Sequence, residues 1–285
     1  GLFALFPGLL NSLPKSGGWL TTVKVILGFL ELALAFKFLS NADLVTHWGI
    51  LKREIFIGIW IIIGIFLSLY LWGFIKFPHD SPIKKLPTVR IILATLVTLF
   101  TFYLVPGVTN TKYANLSLIS GFPPPLYYSI YPGKSDCVFN LNCTRDYEEG
   151  LRMAREQNKP ILLDFTGYAC VNCRRMEENV WSKPEVNALM KEKFIVISLY
   201  VDDKKLLPAA ERFTYITKEG SKREIRTVGD KWANFETENF KNNAQPLYAI
   251  LNTKEELLSH PAAYTPSVKD YLQWLQCGAD AFDKK

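Results

Sequence analysis

Long apolar segments dominate the first 110 residues of the chain, whereas later residues alternate apolar and charged positions at short intervals. Three of these segments have about the ~20 residues that a bilayer-spanning helix needs: residues 19–39, 55–75 and 89–105. The second is uncharged, and the first contains Lys24, Glu31 and Lys37. We therefore predict a transmembrane region over residues 1–106 with about three helices. For the first segment, an amphipathic helix lying at the membrane surface is the alternative.

The basic residues suggest an orientation. Lys76, Lys84 and Lys85 lie between the second and third segments, which by the positive-inside rule places that loop in the cytoplasm. Residues after 106 then lie outside the cytoplasm. Lys52 and Arg53 also lie outside in this orientation, which the positive-inside rule does not favour. All five cysteines follow residue 130, which agrees with an outside location, because disulfides persist outside the cytoplasm.

The rest of the chain predicts a linker and one α/β domain. Residues 107–146 are rich in Pro, Gly and Tyr and are expected to form a semi-rigid extracytoplasmic spacer. Residues 147–285 alternate helical and strand patterns, which is typical of an α/β sheet. The predicted elements are helices at 147–157, 170–190 with a break near Pro184, 230–240 and 268–275, strands at 161–165 and 194–201, and a hairpin of 246–252 with 257–260.

The sequence Cys170-Val171-Asn172-Cys173 follows the first strand and a turn, and it opens a helical pattern. In a strand–turn–helix context, C-x-x-C is the signature of a thioredoxin-like redox site. A thiolate in the first helical turn is stabilised by unpaired N–H groups and by the helix dipole, and the second thiol lies near enough to close a disulfide. We predict a redox-active Cys170–Cys173 pair.

Two further positions support this prediction. Asp164, six residues before Cys170, would be partly desolvated with a raised pKa and would accept the proton that Cys173 loses. A solvated residue at the strand end is the alternative for Asp164. Gln245-Pro246 precedes an apolar run, a position that favours a special turn, often with a cis bond. That loop is expected beside the cysteine pair, where its backbone offers an edge to an extended partner.

For the remaining cysteines and the histidines, a structural role is favoured over a catalytic or metal-binding one. The C-x-x-C pair would be half of a zinc site only with a matching second pair, and the five-residue gap between Cys137 and Cys143 is wider than usual zinc spacing. We expect no metal, and a structural Cys137–Cys143 disulfide rather than a second relay. Three scattered histidines are expected at the surface and one cysteine as a lone thiol: His47, His79, His260 and Cys277.

Two stretches resemble the DsbD family of thiol:disulfide interchange proteins. One runs from Ser12-Leu13-Pro14-Lys15-Ser16-Gly17-Gly18-Trp19 into Val23-Lys24-Val25-Ile26-Leu27-Gly28-Phe29-Leu30-Glu31-Leu32-Ala33, and it is similar to a late transmembrane segment. The other runs from Pro160 to Arg174 and is similar to the active site of the family's C-terminal thioredoxin-like domain. The resemblance implies Cys170 as the attacking thiol, Cys173 as the buried resolving thiol, Asp164 as the nearby acid and Pro246 as a cis-proline.

The resemblance further implies a place in an electron conduit of the bacterial inner membrane, with the thioredoxin-like domain in the periplasm. Reducing equivalents would come from a transmembrane cysteine pair and pass to extracytoplasmic acceptor proteins, in disulfide reduction, cytochrome c maturation and cell redox homeostasis. Residues 1–136 contain no cysteine, so the donor pair has no match here. The sequence is expected to start partway through a larger protein. Tyr168 and Ala169 replace an acidic-Trp pair of the family and are candidate partner-binding residues with Gln245 and Pro246.

The expected function is therefore that of a membrane-anchored protein-disulfide reductase that uses no cofactor beyond its redox-active disulfide. A non-catalytic, membrane-anchored binding module and a disulfide-forming oxidase remain the alternatives, since the direction of electron flow depends on reduction potential and partner. The net charge of +6 is spread along the chain without a basic tract, so a nucleic-acid partner is not expected.

Overall fold

The computed structural model describes residues 18–78, 80, 86–131, 137–216 and 220–284. The start of the first DsbD-like stretch, residues 12–17, and His79 lie outside these ranges. The chain divides into two compact units. The first contains the residues up to Phe38 together with Glu54–Ala114, and the second contains Leu39–Arg53 together with Asn115–Lys285.

Three helices build the first unit: α1 (Gly18–Thr46, of which the part up to Phe38 belongs here), α2 (Arg53–Leu71) and α3 (Thr88–Leu104). Leu67, Leu71 and Ala94 are buried between them. The Arg90 guanidinium donates to the carbonyl oxygens of Tyr70 at 2.5 Å and Leu71 at 2.9 Å. It therefore satisfies backbone acceptors that the last turn of α2 leaves without helical partners.

Within the described residues, two helices are long and apolar enough to cross a membrane by length and composition, Arg53–Leu71 and Thr88–Val108. They correspond to the second and third predicted spans. The helix predicted at residues 19–39 is present as the longer α1, but it is not one of the two, and it carries Lys24, Glu31, Lys37 and Asp43. The prediction of about three transmembrane helices over residues 1–106 stays a prediction.

The second unit is an α/β domain. Its helices are α4 (Tyr147–Gln157), α5 (Val171–Met176), α6 (Pro184–Lys193), α7 (Val228–Phe240) and α8 (Val268–Asp283). Its strands are β1 (Cys143–Thr144), β2 (Ile161–Thr166), β3 (Ile195–Tyr200), β4 (Phe213–Ile216), β5 (Lys222–Ile225) and β6 (Leu247–Leu251). The main sheet has the order β1-β3-β2-β6, with β6 antiparallel to β2 and the other pairs parallel. Strands β4 and β5 form a separate hairpin.

Both faces of the main sheet are covered, which explains why β2 is an unbroken apolar run except at Asp164 and Thr166. On one face Leu162 and Val196 pack with residues that include Trp181 and Tyr271. On the other face the neighbouring positions along β2 pack against α4 and α7. Asp164 lies opposite Ser198 of β3 and Tyr248 of β6 in the strand register, in the centre of the sheet.

Two predicted elements differ from the structure. The helix expected over 170–190 consists of α5, a π-helical turn over Glu177–Trp181, and α6, which Pro184 begins at a position where its missing N–H is tolerated. The strand expected at 257–260 is not formed, although Leu258 and Ala262 donate single backbone bonds to β6. Pro261 has no N–H to donate, so a continuous ladder cannot extend through this segment.

The Pro- and Tyr-rich stretch expected to be a spacer is largely part of the second unit. The N–H of Gly121 donates to Glu178 at 3.3 Å, and Asn179 donates to the hydroxyl of Ser120 at 3.2 Å. Tyr127 and Tyr200 share a hydroxyl–hydroxyl bond of 3.2 Å. Pro123, Pro124 and Pro125 are buried, and Tyr127 and Tyr128 are half-buried, whereas Tyr113 is exposed.

Candidate redox site

The cysteine pair lies where β2 gives way to α5. Cys170 is the N-cap residue of α5, and its Sγ accepts the backbone N–H of Cys173 at 3.1 Å. The two cysteines form a disulfide with their Cα atoms 5.3 Å apart. Cys173 is buried at 1% exposure, whereas Cys170 is partly exposed. An attacking partner can therefore reach the first sulfur and not the second.

Asp202 holds the turn in front of Cys170. Its two carboxylate oxygens accept the backbone N–H groups of Tyr168 at 2.8 Å and Ala169 at 2.9 Å. A Cβ at Gly167 would lie 2.8 Å from the Asp202 carboxylate, so glycine permits this close approach. Two carboxylate-assisted hydrogen bonds fix the turn and thus the start of α5.

Asp164 is buried at 2% exposure, and the hydroxyl of Ser198 donates to its Oδ2 at 3.1 Å. Burial raises the pKa of Asp164 to about 7, while the Arg174 guanidinium and the Ser198 hydrogen bond oppose the rise. The interpretation of Asp164 as a solvated strand-end residue is therefore wrong. The carboxyl group is poised to exchange a proton near neutral pH.

Two buried charged residues next to the cysteines were missed in the sequence. Arg174 and Glu177 are 2% and 7% exposed, and the guanidinium lies 2.6 Å from the carboxylate. Arg174 also donates to the hydroxyl of Thr166 at 3.1 Å. Burial raises the pKa of Glu177 to about 8, against the opposing effect of Arg174. Their i,i+3 spacing directly after C-x-x-C was visible, but charged helix residues are usually solvated.

Tyr168 is buried at 6% exposure, so it presents little surface to a partner. Its ring stacks on that of Tyr200 with centroids 3.9 Å apart, and the Arg145 guanidinium lies 5.8 Å from its centroid. This placement differs from the predicted partner contact. Ala169, next in the chain, is partly exposed beside Cys170.

The Gln245–Pro246 bond is cis, and it leads directly into β6. Gln245 is exposed, and its Oε1 lies 3.0 Å from the position of a Cβ on Gly167. The loop therefore adjoins the turn in front of Cys170, where the sequence placed it. The partner-binding roles of Gln245, Pro246 and Ala169 stay predictions.

The remaining cysteines lie apart from this pair. Cys137 and Cys143 form a disulfide with their Cα atoms 5.7 Å apart, next to the edge strand β1. Cys277 is a free and exposed thiol on α8. His47 and His260 are both exposed, as predicted, and His47 also contacts the ring of Tyr168.

A cavity of about 10 Å³ lies between the β1 edge and the buried charges, close to the smallest space that holds one water molecule. Ser198, Glu177, Arg145 and Tyr200 are among its lining residues. Because Ser198 also bonds to Asp164, this cavity borders the hydrogen-bonded surroundings of the buried acid.

Comparison with known proteins agrees with this geometry. A family profile described as "Thioredoxin-like" matches residues 142–252. The thiol:disulfide interchange protein DsbD of Campylobacter jejuni (strain RM1221) is 26% identical over 215 residues, which cover 75% of this chain and 34% of that protein. DsbD of Ralstonia nicotianae is 23% identical over 229 residues, covering 77% of this chain and 36% of the relative. The chain is therefore similar to DsbD proteins over about three quarters of its length, and it contains a thioredoxin-like domain.

The predicted resemblance and the predicted fold class, a helical region followed by an α/β thioredoxin-like domain, are confirmed. Among solved structures, the C-terminal domain of Neisseria meningitidis DsbD in the reduced form aligns with a TM-score of 0.31 at 15% identity, covering 45% of this chain and 90% of that domain. The DsbD-like chain spans about a third of the length of the curated relatives it matches.

Proposed function

We propose that this chain is the exit module of a membrane-anchored protein-disulfide reductase, with the Cys170–Cys173 disulfide as its only redox group. The observation that supports the proposal is the difference in exposure between the two cysteines. Cys170 is accessible at the start of α5, and Cys173 is buried on the same turn. The similarity to DsbD proteins over 75% of the chain supports the reducing direction.

In the reduced protein, the Cys170 thiolate attacks a sulfur of the partner's disulfide. A mixed disulfide forms, and the partner's other sulfur leaves as a thiolate. Cys173 then loses its proton to Asp164 and attacks the Sγ of Cys170, so that the partner's second sulfur also leaves as a thiolate. One proton from Asp164 and one from solvent convert the partner's two thiolates to a dithiol. Two electrons pass to the partner, and Cys170–Cys173 becomes oxidised.

The roles of the buried charges follow from this sequence. Arg174 lies 2.6 Å from Glu177, and its charge also lowers the pKa of Asp164 against the effect of burial. Asp164, whose pKa burial raises to about 7, can hold the proton of Cys173 between the two steps.

The proposed setting is the bacterial inner membrane, crossed by more than one helix, with the second unit in the periplasm. Helices α2 and α3 are apolar enough to span it. The donor would be a cysteine pair of a transmembrane protein or domain, and the acceptors would be extracytoplasmic thiol–disulfide proteins, including those that serve cytochrome c maturation.

The test is the equilibrium reduction potential of the full chain in detergent, measured in dithiothreitol redox buffers with alkylation of the free thiols. Cys277→Ser removes the exposed free thiol, and the doubly substituted Cys137→Ser/Cys143→Ser chain serves as a control for the second disulfide. A two-electron couple at Cys170–Cys173, more reducing than about −200 mV, supports an electron donor. A strongly oxidising value supports disulfide formation, and the lack of any couple supports a binding module.

A further inference from the structure

The segment Leu39–Arg53 contains the last turns of α1, the loop after them and the first residue of α2, and it belongs to the second unit. Its backbone is bonded to that unit at two places. The N–H of Lys204 donates to the carbonyl oxygen of Val45, and the N–H of Arg53 donates to that of Tyr128, each at 2.9 Å. These bonds make the segment a fixed part of the thioredoxin-like domain.

Asp43 strengthens this attachment. It accepts the backbone N–H of Leu51 at 2.8 Å and that of Ile50 at 3.0 Å, which folds the segment on itself. It also accepts the hydroxyl of Tyr128 at 2.7 Å. Asp43 is 1% exposed, so breaking the attachment would cost this buried carboxylate its hydrogen bond to Tyr128.

The C-terminal end of α1 determines where the His47 side chain lies. The helix ends at Thr46, His47 adopts a left-handed backbone with φ 59°, and the N–H of Trp48 returns to the carbonyl oxygen of Asp43 at 3.2 Å. This is the hydrogen bond of a Schellman motif, in which the left-handed residue reverses the chain. Histidine tolerates this conformation better than most residues other than glycine.

From this position the His47 ring makes two contacts. Its Nε2 donates to Oδ1 of Asp203 at 2.8 Å, which holds the imidazole in one orientation. Its edge meets the ring of Tyr168 with centroids 4.9 Å apart and planes at 89°. Asp203 is itself held, because it accepts the N–H of Lys205 at 2.8 Å through its carboxylate.

Tyr168 connects these contacts to the chemistry, since it lies two residues before Cys170. Its backbone is held by Asp202, and its ring is held by Tyr200 on one face and by His47 at the edge. We propose that His47 is a positioning residue of the redox site, which orders the turn at Tyr168 and Ala169 and thereby sets how Cys170 is presented to a protein disulfide.

The proposal rests on the proposed reductase function and adds to it a residue from a segment between two helices of the other unit. The thioredoxin-like domain is then incomplete as a redox site without Leu39–Arg53. A small misplacement of reacting groups is enough to slow a reaction between two bound proteins by up to about 10²-fold.

The test uses the full chain in detergent with the Cys277→Ser substitution. His47→Gly removes the imidazole ring, and glycine adopts the left-handed backbone at this position without strain. A change in activity can therefore be assigned to the lost ring contacts and not to misfolding of the turn. His260→Ala, at an exposed histidine of the same unit, is the matched control. We expect His47→Gly to lower kcat/KM for a disulfide-containing protein substrate about tenfold through misplacement of the turn, with His260→Ala unchanged.

A double-mutant cycle with Tyr168→Ala tests the route of the effect. If His47 acts through Tyr168, the His47→Gly substitution changes kcat/KM little once Tyr168 is removed. Multiplicative effects of the two substitutions, or wild-type kinetics of His47→Gly, would overturn the proposal.

A second readout does not depend on reductase activity. In the reduced chain, alkylation of Cys170 by iodoacetamide at pH 7 is followed on its peptide by mass spectrometry. We expect His47→Gly to change this rate roughly threefold or more, because the thiolate loses its fixed position at the start of α5. If wild-type protein reduces no disulfide while this change is observed, the reductase proposal fails and the positioning role stands. An unchanged alkylation rate counts against the positioning role.

Discussion

The guanidinium of Arg174, the residue after Cys173, lies 2.6 Å from the carboxylate of Glu177, and both side chains are almost fully buried. A buried ion pair contributes little net stability, because desolvation offsets much of the attraction, but removing one partner is costly. Here the pair adjoins a second buried acid, Asp164, whose pKa Arg174 helps to lower against the effect of burial. The charge of Arg174 therefore keeps the pKa of Asp164 below the value that burial alone would give it.

Replacing Arg174 with Met is predicted to slow disulfide reduction at pH 7. Without the cation, burial raises the pKa of Asp164 further, so Asp164 stays protonated and cannot accept the proton of Cys173. We expect the pH profile of kcat/KM to move about one pH unit to the alkaline side. Arg174→Lys keeps the charge and should stay nearer to the wild-type profile. A profile of Arg174→Met that coincides with the wild type would remove the electrostatic role.

Replacing Asp164 with Asn is predicted to slow the second step of the exchange. The amide cannot take the proton of Cys173, so the mixed disulfide persists longer and kcat falls by about 10²-fold, the usual contribution of a general base. Rapid-quench alkylation of the mixed disulfide measures its lifetime. Equal lifetimes in the variant and the wild type near neutral pH would exclude Asp164 as the base.

The same substitution has a predicted effect on stability. The pKa of Asp164 is raised in the folded protein to about 7, above its ordinary value in an unfolded chain of about 3.9. Between these values the folded state binds more protons, so the free energy of unfolding falls as pH rises from about 4 to about 7. Asp164→Asn removes this loss. Urea unfolding should show the variant more stable than the wild type at pH 8, with the gap closing towards pH 4.

The two cysteines are predicted to differ when each is replaced. In the Cys277→Ser background, Cys170→Ser abolishes exchange, because the accessible nucleophile is lost. Cys173→Ser leaves Cys170 able to attack and removes the resolving thiol, so a mixed disulfide with the partner accumulates. Non-reducing electrophoresis with mass spectrometry detects this species. If Cys173→Ser traps no partner whereas Cys170→Ser does, the two roles are reversed.

Asp202 is predicted to be required for a fixed turn in front of Cys170. Asp202→Ala leaves the N–H groups of Tyr168 and Ala169 without their acceptor, which should cost about 1–3 kcal/mol in the free energy of unfolding. Gly167→Ala tests the same arrangement from the other side, since its Cβ would lie 2.8 Å from the Asp202 carboxylate. Denaturant unfolding of both variants, with Asp280→Ala on the exposed face of α8 as control, provides the measurement.

Local sequence patterns carried much of this architecture. A few neighbouring residues are enough to predict the apolar run of β2, the C-x-x-C at the start of a helix, and Pro246 before β6. The hydrogen-bond partner of Asp164 cannot be predicted from its neighbours, because Ser198 is brought next to it only by the pairing of β2 with β3. The burial of Arg174 and Glu177 could not be predicted in this way, because charged helix residues are usually solvated and nothing in the neighbouring sequence marks these two as buried.

Tyr168 shows the same limit. Its position next to the cysteines suggested contact with a partner, but Tyr200, Arg145 and His47 cover its ring. Those residues come from β3, from the chain before α4, and from the segment between α1 and α2. The Pro- and Tyr-rich stretch was likewise interpreted by composition alone, which cannot report that a surface exists for its rings to pack against.

The bond between His47 and Asp203 joins residues 156 positions apart. In folding, the strands of the main sheet lie much closer together in sequence, so the sheet can assemble before this contact closes its long loop. The contact should therefore form late in folding and open first. Backbone amides around it should be the least protected of the domain in hydrogen exchange. A truncated chain that begins at residue 142, where the thioredoxin-like match starts, would keep the sheet and lose this closing step altogether.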